Sequence, residues 1–327
     1  MSNPNLLRFV LLALLWGSSF ALIKVSLEGL SPSQLVLARL LLGAAVLGSI
    51  ALIRRVPLPR TRPVWGHVAL AALFGNVLPF LLLSYGEQST GAGIAGVLIG
   101  GTPLLTLALA TAALTTEPAT GRKTIGLAVG FAGIVLVIAP WNSTLGSLGG
   151  QLACFGAAVS YAVGFVYVRR FLSPLGLAPL ALATGQLLAA VALQVVATPF
   201  LAWRSPDPTP RVIVSILLLG VLSTGLAYVL YFRLIGDTGA TTASAVNYLV
   251  PVVAVLVGAA FLDEPVTWNL VVGGLVVLLG MGHAENRLPR RRASRSAPPA
   301  TAATGPATPD VTGPGGQSSQ RAGSRSC

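Results

Sequence analysis

Thr90-Gly91-Ala92-x-x-Ala95, with Pro103 eight residues further on, returns later in the chain as Thr238-Gly239-Ala240-x-x-Ala243 and Pro251. Downstream of the first copy, Glu117-Pro118-x-Thr120, Gly126 and Gly133 return as Glu264-Pro265-x-Thr267, Gly273 and Gly280. The offset is 148 residues for the first group and 147 for the second, so the intervals are kept to within one position. A hydrophobic unit present twice at a fixed period is typical of carriers whose halves move about a site at their interface.

The composition places both copies in a membrane. Hydrophobic residues make up 54% of the chain, charged residues 9%, and mean hydropathy is +0.80. Soluble domains carry about 25% charged residues. Nine of the charges fall in the last 43 residues, which depletes the rest further. The net charge of +12 does not read as a nucleic-acid surface, because the basic residues sit in short clusters between apolar runs, as orientation signals do. Cys154 lies inside an apolar run and Cys327 ends the chain, which fits neither a disulfide framework nor a metal site. Arg8 precedes a long apolar run without a small-residue cleavage site, so the first helix is read as retained.

A crossing helix needs about 20 apolar residues. On that ruler the chain divides into ten spans, at residues 6–27, 33–53, 64–85, 91–114, 122–139, 147–171, 177–201, 211–234, 240–262 and 267–284. Turn residues such as Ser31-Pro32, Ser173-Pro174 and Glu264-Pro265 mark the breaks. The expected fold is an all-α polytopic membrane protein of two five-helix repeats, 1–140 and 147–284, followed by a tail at 285–327. With the N-terminus inside, the cytoplasmic face receives Arg8, Arg54, Arg55, Arg60, Arg62, Arg122, Lys123, Arg169, Arg170, Arg233 and the basic tail, and the other face receives only Arg204 and Arg211. That asymmetry places both termini in the cytoplasm. Five crossings per repeat make the second copy enter from the opposite face, so the repeats are inverted. The tail is Arg, Pro, Ser, Thr, Ala and Gly with almost nothing apolar, a composition that reads as disordered. Its Arg287 and Arg290 to Arg292 read as an orientation anchor, with contact to anionic headgroups as the alternative.

Several residues add a more specific pattern. The first span holds Trp16-Gly17-Ser18-Ser19-Phe20 and then Lys24. Ser31-Pro32 and Ala38-Arg39 open the second, Pro103 lies in the fourth, and Glu117-Pro118-x-Thr120 leads into a glycine-spaced fifth. The second copy keeps the later motifs and places Tyr161 and Arg169 where the first has Trp16 and Lys24. Over about residues 6–284 the chain resembles the drug/metabolite transporter superfamily, in particular its ten-helix EamA-type exporter branch. The resemblance implies transport of a small solute such as an amino acid, metabolite or drug, without fixing which.

The residues themselves nominate a site. Lys24 and Arg39 are the full charges placed well inside spans, where a charge costs roughly 2.5–3.5 kcal/mol and a functional role is the default. The competing role is snorkelling to the outer interface, which weighs more for Lys24, one turn from its helix end, than for Arg39. Both lie toward the outer half, where a carboxylate would suit them, with Glu87 and Glu28 as alternative protein partners. Trp16 and Ser19 lie three residues apart on the first helix, while Ser18 reads as a packing residue. Tyr161 and Tyr228 fall near mid-span, whereas Tyr231 and Tyr85 read as interfacial anchors. Of the amides Asn76, Gln186 and Asn247, the last stands four residues before Pro251 and ranks first as a substrate contact. Pro103 and Pro251 read as matching kinks, and the two Glu-Pro pairs as turns with the acid near the start of the next helix. His67 and His283, at helix ends, read as solvated. The absence of an Asp or Glu at mid-span argues against the usual carboxylate proton relay. There is no nucleotide-phosphate loop, no metal spacing and no nucleophile–base arrangement. No cofactor or nucleic acid is expected, only a small-molecule substrate and the bilayer. The oligomeric state is left open. The rival class is a membrane-embedded enzyme acting on lipid, which would require clustered His, Asp or Glu at one interface.

This topology places residues 142–144, 205–210 and 263–265 outside. Cysteines introduced at Asn142 and Asp207 should react with a membrane-impermeant maleimide in intact cells. Labelling only after permeabilisation would invert the assignment.

Overall fold

The computed structural model describes residues 3–113, 120–139, 146–239, 243 and 245–284, and among them every regular element is helical. The helices are α1 (Asn3–Gly29), α2 (Pro32–Ile53), α3 (Arg62–Gly86), α4 in two segments (Ala92–Gly100 and Thr102–Ala113), α5 (Gly121–Ile138), α6 (Leu148–Leu175), α7 (Pro179–Phe200), α8 (Pro210–Thr238), α9 (Val246–Leu262) and α10 (Trp268–Ala284). These ten match the expected spans to within a few residues at their ends. The exception is the ninth span, whose expected start at 240–242 lies outside the described residues, as do Glu117-Pro118, residues 142–144 and the tail from 285. Eight helices are long and apolar enough to cross a membrane, and α9 and α10 are shorter apolar helices of 17 residues. Large apolar side chains stand exposed on their outer faces, including Leu52, Leu256, Phe261 and Leu275, as lipid contact requires.

Local signals set the ends. Ser31 and Gln34 form a reciprocal capping box at α2, with the Ser31 N–H donating to Gln34 Oε1 at 2.7 Å. Thr120, Ser147 and Thr209 accept the third backbone N–H of α5, α6 and α8. Two expectations about prolines and basic residues are refined here. The paired prolines are not equivalent kinks: α4 breaks at Gly101 and restarts at Thr102, so Pro103 sits in a first turn where its missing N–H costs nothing. Helix α9, by contrast, continues through Pro251. The two basic residues flanking the α7–α8 connection are both engaged: Arg204 Nη2 donates to the carbonyls of Leu27 and Leu30 at the end of α1, a position a helix C-terminus favours, and Arg211 pairs with Glu28 at 3.7 Å.

The helices are joined through small residues. Along α5 and α10, an added Cβ on Gly126 would lie 2.6 Å from Ala284 Cβ, on Gly133 2.6 Å from the Val277 nitrogen, and on Gly280 2.4 Å from the Gly130 nitrogen. The order of these contacts makes α5 and α10 antiparallel. Helices α4 and α9 cross in the same sense, Gly96 against Ala254 and Gly100 against Pro251. Helices α3 and α6 meet at Gly86 and Gly150 and again at Gly75 and Gly164. Lipid tails are as apolar as leucine, so close backbone approach at glycine is what favours association in a bilayer. The pairings have a symmetry: α4 with α9, α5 with α10 and α2 with α7 join equivalent helices, while α1 with α8 is matched by α6 with α3. Antiparallel self-pairing of equivalent helices is what a two-fold axis in the membrane plane produces, and the repeats are therefore inverted.

Because the α5–α10 seam has no room for a side chain, Gly133→Ala should lower the thermal stability of detergent-solubilised protein by about 1–3 kcal/mol. Gly48→Ala, where an added methyl meets nothing within 4 Å, should leave melting unchanged or higher.

Candidate functional site

Arg39 lies in the second turn of α2 and is 7% exposed. It faces inward, and no snorkelled path is used. Its Nε donates to Thr224 Oγ1 of α8 at 2.9 Å, and its Cζ stands 3.8 Å from the centre of the Phe80 ring of α3, a cation–π arrangement. That hydrogen bond is the guanidinium's only one among the described residues, so the two terminal nitrogens, the fork that binds a carboxylate bidentately, are uncommitted. Tyr161 of α6, Tyr228 of α8 and Glu87 all lie within electrostatic reach of it.

The partners of Arg39 are placed by unusual turns. Helix α3 widens to an i→i+5 turn over Leu73–Val77 and α8 over Leu218–Leu226, a rare distortion often found at functional positions. Thr224 stabilises its own turn by donating to the Leu219 carbonyl five residues earlier, at 2.9 Å, which leaves its oxygen to accept from Arg39. Asn76, buried in the α3 turn, lies close to the Tyr228 hydroxyl. Asn76 and Thr224 are separated by the same 148 residues as Thr90 and Thr238, and so are Phe80 and Tyr228. The internal repeat thus contributes one polar and one aromatic residue from each of two equivalent helices to the cluster that includes Arg39, Asn76 joining it through Tyr228. Asn76 was ranked below Asn247 in the sequence reading and Phe80 and Thr224 were not singled out, although the repeat offset points to all three.

The other nominated residues divide. Tyr161 packs edge-on to Phe80, with ring centres 6.4 Å apart, and so joins the Arg39 group. Trp16 packs on Tyr231 of α8 at 5.3 Å, and Tyr231 lies within electrostatic reach of Tyr228. Tyr231 is therefore part of this inward aromatic row and not only an interfacial anchor. Ser19 is buried, but its hydroxyl donates to the Trp16 carbonyl of its own helix at 2.6 Å. Asn247 is half-buried at the start of α9. His67 is not simply solvated, since its Nδ1 lies 2.6 Å from the Tyr167 hydroxyl across α3 and α6. A shallow hollow lined by Ala108, Ala112, Lys123 and Leu127 between α4 and α5 lies apart from all of these polar groups.

The expected partners of the two cations are corrected. Glu28 binds Arg211, and Lys24 Nζ donates to the Thr90 carbonyl at 2.6 Å, holding the connection between α3 and α4. The Glu264 carboxylate does not serve the helix that follows it. Thr267 takes that position, accepting from the Leu270 N–H. Asp263 adopts a left-handed conformation with φ of 52°, which Asp tolerates and which turns Glu264 back across the molecule. There its two oxygens accept the backbone N–H groups of Ala92 at 2.7 Å and Gly93 at 3.0 Å, at the electropositive start of α4. A motif of the second repeat thereby caps a helix of the first. Glu87, one residue past the end of α3, is buried, and its carboxyl is held well above the usual carboxylate range. The cause is burial first, with Lys24 opposing, Glu264 reinforcing and Arg39 opposing.

Charge-assisted bonds to a backbone N–H pair contribute about 1.5–3 kcal/mol. Glu264→Ala should therefore lower the unfolding free energy by roughly that amount, with Glu264→Gln intermediate, as measured by thermal unfolding in detergent.

Comparison with known proteins places this arrangement. The model of the EamA-like transporter family matches twice, over residues 4–139 and 148–282. The uncharacterized transporter YdfC of Bacillus subtilis is 26% identical over 82% of this chain and 86% of its own length. An uncharacterized transporter of Archaeoglobus fulgidus is 28% identical over 84% and 97%, and the uncharacterized inner membrane transporter YedA of Escherichia coli K12 is 28% identical over 77% and 81%. A solved crystal structure with 23% identity superposes with a TM-score of 0.60, covering 87% of this chain and 98% of that one, which bears on the fold alone. Matched in both halves, the chain belongs to the EamA-like transporter family and is a multi-pass membrane transporter.

Proposed function

We propose that the protein is a secondary carrier that exports a small organic acid, an amino acid or a related metabolite, by alternating access, with both termini in the cytoplasm. The observation that carries this reading is Arg39: a buried guanidinium between α2, α3 and α8, with its two terminal nitrogens uncommitted and three aromatic residues around it. A fixed cation in a low-dielectric pocket favours an anion and disfavours another cation by a like-charge penalty. Phe80, Tyr161 and Tyr228 supply apolar faces with hydroxyls at their edges, which suits a solute carrying a carboxylate on an apolar or aromatic frame.

Inversion supplies the motion. Each half presents equivalent helices to the other in opposite directions, so a rocking of one half that opens one face closes the other. The interrupted α4 and the proline-bearing α9, crossing at Gly100 and Pro251, are the elements whose bend can change with least loss of hydrogen bonding. Lys24, Trp16, Ser19 and Asn247 border this region, Lys24 as a brace of the α3–α4 connection.

Purified protein in liposomes, loaded in turn with amino acids, other organic acids and organic cations, should release the acids and retain the cations. Arg39→Ala should reduce flux to the level of empty liposomes while inserting normally. Arg39→Lys, which keeps the charge and loses the fork, should retain roughly a tenth of the flux, the loss of one hydrogen bond of about 1.4 kcal/mol. Lys24→Ala should reduce flux less than Arg39→Ala. Movement of cations alone, or lipid turnover without solute flux, would overturn the reading.

A further inference from the structure

Glu87 is not used by the function proposed above, and its surroundings are unusual. It is the C-cap of α3, its N–H bonded to the Leu83 carbonyl at 2.8 Å, and it is 1% exposed. It is enclosed because α6 comes against the end of α3: a Cβ on Gly86 would lie 2.7 Å from the Gly150 carbonyl and 2.6 Å from Cys154 Sγ. The Ser147 N–H also donates to the Ser89 carbonyl at 3.0 Å, closing the connection over it. Among the described residues neither carboxyl oxygen has a hydrogen-bond partner, and Ser84 Oγ and Thr90 Oγ1, on the residues three before and three after, are likewise buried and unpartnered.

The charged and titratable groups that face Glu87 are Lys24 from α1, Arg39 from α2, Cys154 from α6 and Glu264 from the α9–α10 connection. Each of the charged ones is bonded elsewhere, Lys24 to the Thr90 carbonyl, Arg39 to Thr224, and Glu264 to the start of α4. Glu87 also lies beyond the last turn of α3, at the negative end of that helix dipole. Two cations therefore draw on an acid that burial, a helix C-terminus and a second carboxylate disfavour as an anion.

We propose that Glu87 is a proton-binding site linked to the solute site, protonated when a solute carboxylate occupies Arg39 and ionised when Arg39 is empty, so that one proton crosses with each solute anion. This rests on the carboxylate reading of Arg39. An ionised Glu87 and a solute carboxylate are like charges drawing on the same two cations, so each is favoured by the other's neutralisation. The proton comes from water on the side to which the site is open, forms an O–H bond on the Glu87 carboxyl, and returns to water on the opposite side as the solute leaves. A metal cation does not suit the same place. One carboxylate and two hydroxyls fall short of the six to eight oxygens that calcium takes or the octahedral set that magnesium needs, and Lys24 and Arg39 would repel it.

Infrared spectroscopy of the full-length protein in liposomes tests this. At neutral pH the wild type saturated with an equimolar mixture of amino acids should show a C=O band of a neutral carboxylic acid, shifted in D2O, lost when the solutes are removed, and absent in Glu87→Gln, which is isosteric with the protonated acid. Glu87→Asp, should the glutamine variant misfold, should retain a band at a different frequency. Adding an equimolar mixture of amino acids in unbuffered medium should cause uptake of one proton per solute bound by the wild type and none by Glu87→Gln. The apparent Kd of the wild type should rise about tenfold per pH unit on the alkaline side, and that of Glu87→Gln should not vary. No neutral-acid band, or a band unchanged in Glu87→Gln, overturns the proton site. Wild-type solute flux without proton movement overturns the coupling and leaves the Arg39 reading intact. Loss of acid flux in Arg39→Ala is scored separately, so the two readings fail independently.

Discussion

Every other feature of this molecule depends on how closely its helices approach. In hydrocarbon, apolar side chains gain nothing by facing one another instead of lipid, and the remaining attraction is short-range contact between surfaces that fit. Glycines at Gly126, Gly133, Gly273 and Gly280 bring α5 and α10 to backbone contact, and Gly86, Gly150, Gly75 and Gly164 do so for α3 and α6. These seams leave little freedom of register, since a shift of one residue would replace a glycine with a larger residue at most crossings. They also explain why the motif repeats with such regular intervals: the glycines of one copy are spaced to receive those of the other.

Within that frame the polar groups sit where two helices of opposite direction can serve one cation. Placing Arg39 in a span costs a few kcal/mol, and Thr224, Phe80, Tyr161 and Tyr228 offset part of that without neutralising it. A carboxylate partner from the protein would have offset more, but it would also have filled the position a solute could take. Glu87, the acid within electrostatic reach of Arg39, makes no hydrogen bond to it among the described residues, while Glu28 is held by Arg211 and Glu264 by the first two N–H groups of α4. The second repeat's Glu-Pro motif thus acts at a distance of about 170 residues in sequence, tying one half's connection to the other half's helix start.

The ten spans, their inversion and the presence of a charge at Arg39 inside the second span were legible in the sequence, because each rests on a strong and local cost, that of exposing a peptide group or a charge to lipid. What the sequence hid depends on longer range or weaker signals. The wide turns at Asn76 and Thr224 have no composition of their own, since one extra residue per turn is decided by neighbouring helices. Gln88-Ser89-Thr90 reads as a connection between spans, so Glu87 beside it reads as a candidate partner of Lys24 and Arg39, and nothing marks it as enclosed until α6 is seen to fold over it. Glu264 next to Pro265 has the pattern of an ordinary helix start. Only the left-handed Asp263 redirects it, and Asp is common in turns for many reasons. The repeat offset, applied beyond the shared motifs, would have paired Asn76 with Thr224 and Phe80 with Tyr228.

The separation of Arg39 from Thr224 also bears on how the chain is made. The two residues are 185 positions apart, and at synthesis rates of about 5–20 residues per second the ribosome delivers the second roughly ten to forty seconds after the first. Throughout that interval α2 holds a cation in or near the bilayer with its principal partner not yet made, and the glycine faces of α3, α4 and α5 border lipid in place of helices. The first half must therefore persist as a loosely associated set of helices that the second half completes, which makes the insertion machinery, or lipids that cover polar patches, a participant in assembly of the native protein.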